Sequence, residues 1–261
     1  VSQLIRIAVD GGNVVSRQFS ELERTQLPFA TATAINATAF DTRQRWAEVM
    51  PRIFDRPTAL TRQAVLYTKA SKANLAAEVF IRDEAFKGTP PAKYLEAQVM
   101  GGSRRTKGIE RQLTARGILP AGMFVVPGQG AKLDQHGNLP RSQLNQIKSQ
   151  LGIQGDALSN ESPASRGRRL KRNAKKGVRG GNYFAVKQRE GGLAAGVYER
   201  IATGFGSALR SVLYFVRSVR YRRRYPIFQM AQTIFDRRYP ANFNKALATA
   251  VASAWSKAFT R

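Results

Sequence analysis

The spacing of apolar and polar positions divides the chain into stretches of different period. Over PFATATAINATAFDTRQRWAEVM, residues 28–50, Phe29, Thr33, Ala37, Phe40, Gln44 and Ala47 recur at three- to four-residue steps. This spacing predicts a long Ala-rich helix from about Pro28 to the residue before Pro51. Its small side chains permit close approach, so it is expected against a sheet or a neighbouring subunit. After the turn-rich MPRIFDRP the period falls to two. Val65, Tyr67 and Lys69, then Ala77, Val79 and Ile81, with SKAN between them, predict a β-hairpin.

Between residues 90 and 155 the segments shorten. Helices are expected near 91–99 and near 107–116, the second ended by Gly117. GMFVVPG reads as a short strand, LDQHGN as a turn, and PRSQLNQIKSQLG as a helix opened by Pro140. Frequent turns of this kind predict an inserted lobe rather than the main core. SPASRGRRLKRNAKKGVRGG, residues 162–181, carries almost no large apolar side chain, which predicts a mobile loop that only a partner orders.

Period two then returns. Tyr183, Ala185 and Lys187 alternate with Phe184, Val186 and Gln188, a Glu-Gly-Gly turn follows, and Ala195 and Val197 begin the next strand. SALRSVLYFVRSV predicts a third strand. Beyond Pro226, Ile227, Ala231, Ile234 and Phe235 share one helical face. After Tyr239 and Pro240, Phe243, Ala246, Leu247, Ala250, Ala254 and Trp255 share another. The expected fold class is α+β: an antiparallel sheet packed by a long N-terminal helix and C-terminal helices, with an inserted, mostly helical lobe and a basic flexible loop. The expected division is 1–89 for the N-terminal helix and hairpin of the core, 90–160 for the lobe, 161–181 for the basic loop or arm, and 182–261 for the strands and helix completing the core.

Composition adds a partner class. The chain has 261 residues, 43% of them hydrophobic, enough for a real core. Its 43 Lys and Arg against 17 Asp and Glu give +26, which predicts attraction to a polyanion: nucleic acid, an acidic protein surface or anionic lipid. The charge is uneven, since residues 1–100 carry a net +3 and residues 101–261 a net +23. The absence of cysteine and the single histidine exclude disulfide frameworks, Cys/His zinc sites and thiol catalysis. No apolar run approaches the length of about 18 residues that a membrane span needs, and VSQLIRIAVDGG lacks a signal pattern, so a soluble, non-secreted chain is expected.

Candidate chemistry is sparse. His136, in LDQHGNL, reads as a polar turn residue; Asp134 and Asn138 beside it lack the other oxygen ligands of a calcium loop. GGSRRTKG and GVRGG are glycine-rich, as phosphate loops are, but neither has the GxxxxGK[ST] spacing. Glu199 in VYERI reads as an ion-pair partner for Arg200 or Arg210 rather than as a general base. No catalytic, cofactor or metal site is expected, and no enzymatic activity.

The basic runs carry the functional reading. Arg166, Arg168, Arg169, Lys171, Arg172, Lys175, Lys176 and Arg179 can neutralise phosphates without reading sequence, or can form a solvated or partner-bound loop. Arg220, Arg222, Arg223 and Arg224, interleaved with Tyr221 and Tyr225, can add base stacking on a single strand, or can form a turn between a strand and a helix. Neither run carries a recognition-helix or RNP pattern, so non-specific backbone contact is the most either supports.

NYFAVKQREGGLAAGVYERI followed by SVLYFVRSVRYRRRYPIFQMAQTIFDRRYPANFNKALATAVASA resembles the prophage minor tail protein Z family and similar tail-completion, or neck, proteins of tailed bacteriophages. LPFATATAINATAFDTRQ, followed by RQAVLYTKASKANLAAEVFIRDE, is similar to the opening helix and hairpin of that family. The similarity covers roughly residues 20–100 and 180–260. It implies a structural virion protein of the tail or head-tail neck. Such a protein is assembled in the host cytoplasm, forms a homo-oligomeric ring around the DNA channel, and meets other tail, neck or connector proteins and packaged DNA. Residues 220–224 are then expected in an inter-subunit or channel-facing loop, and residues 166–179 in an arm that orders on assembly. A free, non-specific nucleic-acid-binding protein is the alternative. An anionic-membrane binder fits less well, since no amphipathic helix pairs a basic face with an exposed apolar one.

Overall fold

The computed structural model describes residues 6–10 and 21–259, with side-chain surroundings for residues 26–253. In chain order its elements begin with strand β1 (Arg6–Asp10), helix α1 (Glu21–Ile53), the short α2 (Ala59–Arg62), β2 (Val65–Tyr67), β3 (Ala76–Ile81) and α3 (Pro91–Met100). There follow β4 (Gly102–Ser103), α4 (Gly108–Ala115), β5 (Phe124–Pro127), α5 (Arg141–Gln150), a 3-10 turn (Ala157–Ser159) and α6 (Pro163–Lys175). The chain closes with β6 (Asn182–Val186), β7 (Gly196–Thr203), β8 (Gly206–Val216), β9 (Arg220–Tyr221) and α7 (Ile227–Phe259). The fold is α+β, with antiparallel sheets and a long N-terminal helix against a long C-terminal one.

The chain forms two compact units. One comprises residues 1–102 and 221–261, the other residues 103–220. The expected division placed the lobe at 90–160 and returned residues 182–220 to the main core. The structure corrects both assignments. α3 contributes Ala92, Leu95 and Val99 to the first core, whereas β5 pairs antiparallel with β8, Val125 opposite Phe215, and so ties helices α4 and α5 to β6–β8 in the second. That pairing joins residues about ninety apart in sequence, and no local period announces it.

In the first unit β3 lies between β1 and β2, all antiparallel. The predicted hairpin is present, with Ala77, Val79 and Ile81 facing inward. β1 had no counterpart in the sequence reading. The core joins Ile35, Trp46 and Met50 of α1 to Val79 and Ile81, to Leu95 of α3, and to Tyr225 and Ile227. Each such large side chain contributes about 1.5–3 kcal/mol by leaving water.

α1 and α7 are 33 residues each, about 50 Å long, and run antiparallel. Ala30 and Ala34 meet Ala246 and Ala250, the Asn242 amide donates to Thr38 Oγ1 at 3.1 Å, and Arg238 lies 3.9 Å from Asp41. Alanines let the two backbones approach closely. Buried Thr38 and Thr42 satisfy their hydroxyls by donating to the carbonyls four residues back, each at 2.9 Å.

This packing overturns three readings of the helices. α1 begins at Glu21 and ends at Ile53, running through Pro28 and Pro51 rather than stopping at them. The stripe through Phe29, Thr33, Phe40 and Gln44 is its exposed face, Phe29 at 42% and Phe40 at 45%, while Ala34, Ile35, Thr38, Thr42, Trp46 and Met50 face the core. In a helix rich in Ala and Thr, with bulky side chains on both faces, the two faces differ little in polarity, so the pattern alone does not tell inside from outside. α7 continues through Pro240, bridged by the stacked rings of Phe235, Tyr239 and Phe243, whose centroids are 4.9 and 6.1 Å apart. Contacts on both sides of Pro240 offset the backbone hydrogen bond that proline forgoes.

In the second unit the sheet order is β5-β8-β7-β6, antiparallel throughout. Leu113, Leu119, Ile147, Tyr183, Val197, Val212 and Leu213 fill its core. Gln150 of α5 clamps β6, accepting from the Tyr183 N–H at 2.8 Å and donating to the Gly181 carbonyl at 2.8 Å.

Candidate functional site

The residues expected to form a mobile basic loop are a helix. α6 opens at Ser162, whose hydroxyl accepts from the Ser165 N–H at 3.1 Å, and Pro163 occupies the first helical position. It closes in a Schellman arrangement: Gly177 takes φ +64°, the Gly177 N–H donates to Ala174, and the Val178 N–H reaches back to Asn173 at 2.9 Å. Between these caps Arg, Lys, Ala and Leu are good helix formers. Ser162-Pro163 at the start and Lys176-Gly177 at the end are the sequence signals of this helix, whereas the lack of apolar content alone pointed to a loop.

That lack is real, because α6 buries no residue fully. It is held along the stripe Ser165, Arg169 and Asn173, chiefly through Arg169. The Arg169 guanidinium forms a two-pronged pair with Glu161, Nε to Oε1 at 2.6 Å and Nη2 to Oε2 at 3.1 Å. It also donates from Nη1 to the Gly181 carbonyl at 2.9 Å and to Asn182 Oδ1 at 2.6 Å. With 16% of the Arg169 side chain and 11% of Glu161 exposed, the pair is largely withdrawn from water. Arg169 therefore belongs to the scaffold.

The other seven cations of the run, Arg166, Arg168, Lys171, Arg172, Lys175, Lys176 and Arg179, are exposed, and their side chains have no hydrogen-bond or ionic partner among the described residues. Arg168, Lys171, Arg172 and Lys175 fall at i, i+3, i+4 and i+7, on one outward face. Five like-charged pairs at three- or four-residue spacing arise among Arg168, Lys171, Arg172, Lys175 and Lys176, and together they cost about 1–2.5 kcal/mol. A polyanion on that face relieves the repulsion.

The glycine-rich turn after α6 already holds an anion, and it is internal. The Gly181 N–H donates to Glu199 Oε1 at 2.6 Å, and a Cβ on Gly180 would sit 2.5 Å from the same oxygen. Glu199 is fully buried and its other oxygen accepts from Arg210 at 2.7 Å, the ion pair the sequence suggested. Arg200 instead covers the Phe184 ring at 5.5 Å. GGSRRTKG is similarly committed. Arg104 pairs with fully buried Glu110, which also accepts from the Val125 N–H at 2.7 Å and the Lys107 N–H at 2.6 Å. Burial alone would raise the Glu110 carboxyl, but Arg104 and the two N–H groups outweigh it and hold the carboxyl below the usual carboxylate range.

In the second basic run, Arg223, Arg224 and Tyr225 are engaged by the fold itself. Arg223 Nε donates to the Met100 carbonyl at 2.9 Å. Arg224 donates to Gln98 Oε1 at 3.0 Å and covers Phe54. Tyr225 is fully buried, its hydroxyl donating to the Trp46 carbonyl at 2.8 Å and its pKa raised by burial. Tyr225 is thus a core residue that cannot stack a base, and Arg223 and Arg224 secure the segment between β9 and α7 to the C-terminal end of α3. Arg220 and Arg222 are exposed. Arg220 falls in the second unit and Arg222 to Arg224 in the first.

His136 sits in the predicted turn, where Asp134 Oδ1 accepts from the His136 and Asn138 N–H groups at 2.8 and 2.9 Å. Among the described residues no group of three or more His, Cys, Asp or Glu could hold a metal ion, and no helix is long and apolar enough to cross a membrane. A groove of about 630 Å³ between α1 and α7 is lined by charges of both signs, including Asp41, Glu48, Arg237 and Arg238. No family model, characterised protein or solved structure matches the chain.

Proposed function

We propose that this protein is a structural subunit of a tailed-bacteriophage particle, of the tail-completion or neck type, forming a homo-oligomeric ring around the DNA channel. In this reading it meets neighbouring tail or connector proteins and performs no reaction. The observation that carries the proposal is the uncovered face of α1. Phe29, Thr33, Phe40 and Gln44 run along it, Phe40 standing edge-on to Tyr67 at 6.2 Å and Phe29 lying beneath Lys72. This aromatic stripe lies on the segment LPFATATAINATAFDTRQ, which also bears the family resemblance. A second copy is the occupant proposed for it, because rings close through one repeated heterologous interface.

A nonsense codon in the gene, followed by electron microscopy of the lysate, tests the reading. Filled heads without joined tails, or tails that fail to eject, are expected. Infectious particles that lack the chain would overturn it. A free nucleic-acid-binding protein is the second reading, favoured by the seven cations on α6 and the turn after it whose side chains have no partner among the described residues. That reading expects the chain in particle-free fractions of the lysate.

A further inference from the structure

We propose that α6 is a preformed helix for the phosphate backbone of duplex DNA, with Arg168, Lys171, Arg172 and Lys175 as its contact face and Lys176 and Arg179 extending it. The channel reading above supplies only its biological setting, since the contact itself needs no ring.

Charge selects the class of partner. The second unit holds 22 Lys and Arg against six Asp and Glu, a net +16. Three of those six acids, Glu110, Glu161 and Glu199, are spent on Arg104, Arg169 and Arg210. The same unit of a second copy thus has no comparable acidic surface to offer, whereas a duplex carries one negative charge per about 1.7 Å of its axis.

The chemistry of the face selects duplex over single strand. Residues 162–179 contain no aromatic side chain on which an unpaired base could stack. Asn173, the one amide in the stretch, lies on the half-buried stripe facing the protein, so no outward amide reads base edges. What remains is point charge on a rigid rod. Arg168 to Lys175 span about 10 Å of helix, facing several successive phosphates.

Preorganisation separates this surface from a basic tail. The cap at Ser162, the Gly177 closure and the Arg169 anchor order the helix before any ligand arrives, so binding does not have to offset its folding. Arg169 acts by position, holding the face outward.

The test uses the full chain, a fluorescent 20-base-pair duplex in two unrelated sequences, and a single strand of equal length, titrated between 50 and 200 mM salt. Both duplexes are expected to bind alike and more tightly than the single strand. Replacing Arg168, Lys171, Arg172 and Lys175 by Gln removes four contacts. The slope of log K against log salt becomes shallower by about 3.6, equivalent to a salt effect of about 150-fold across that range. The half-sets Arg168→Gln with Arg172→Gln, and Lys171→Gln with Lys175→Gln, each give about half the change, so a folding defect in the full variant leaves the result readable. Gln at exposed Lys93, Arg111, Arg116 and Lys132 removes equal charge elsewhere and should change the slope by less than one. An unchanged slope in the α6 variants, an equal loss in the control, or tighter single-strand binding would overturn the proposal. A tail phenotype with no DNA binding would leave the virion reading standing, and DNA binding with normal particles the reverse.

Discussion

Removal of Arg169 tests the claim that one side chain holds α6. In Arg169→Ala the helix loses both prongs to Glu161 and the bonds to Gly181 and Asn182, while Glu161 is left largely buried without its cation. Breaking a buried pair costs about 3–5 kcal/mol. Because both partners keep an edge in water, about 2–3 kcal/mol is the expected cost. No residue of α6 is fully buried, so little else opposes undocking, and an isolated 13-residue helix is marginal in water. The loss should therefore be local. Hydrogen exchange followed by mass spectrometry is expected to show amides of residues 166–176 exchanging about 30- to 150-fold faster, while peptides from β7 and β8 keep wild-type protection. Tryptic cleavage within the helix should accelerate in parallel. Unchanged α6 protection would refute the anchor, and uniform deprotection of the second unit would show that Arg169 supports the whole core.

Three further outcomes are expected. Gly196→Ala would drive a Cβ into the Leu213 carbonyl on the neighbouring strand, so the urea midpoint should fall by the equivalent of about 1–3 kcal/mol; a wild-type midpoint would contradict the strand spacing. The Glu110 carboxyl is held below its usual range, so its contribution to stability is present above the unfolded carboxylate value and is lost as pH falls through the depressed folded value. Glu110→Gln should lower stability at neutral pH and flatten the acid limb of a pH–stability curve; parallel curves would refute that role. Phe29→Ser with Phe40→Ser should reduce self-association in sedimentation velocity without lowering the melting temperature, and an unchanged sedimentation profile would argue against a second copy on that face.

Local pattern was sufficient for most of the elements. The hairpin of β2 and β3, helices α3, α4 and α5, and strands β5 to β8 lie close to where period and turn chemistry place them. These are settled within a few residues, by which side chains alternate and where Gly and Pro stand. The candidate site was half legible. Its cations were visible in the sequence; their helix was missed because absence of apolar residues argued for disorder, although Ser162-Pro163 and Lys176-Gly177 mark its ends.

The sequence by itself determined an α+β protein with strongly basic later segments, an Ala-rich first helix and no cysteine chemistry. Tertiary structure alone decided which face of α1 is inside, since Ala34 and Thr38 are buried by Ala246 and Asn242 more than 200 residues away. It also decided that α7 runs through Pro240, and that β5 pairs with β8 to found a second unit. Above all it sorted the arginines. Arg104, Arg169, Arg210 and Arg224 are held by partners brought from other segments, and Arg168 and Arg172 are not. Composition counts charges, but only the folded chain supplies the carboxylates and carbonyls that consume them, and what they leave over is the charge available to a partner.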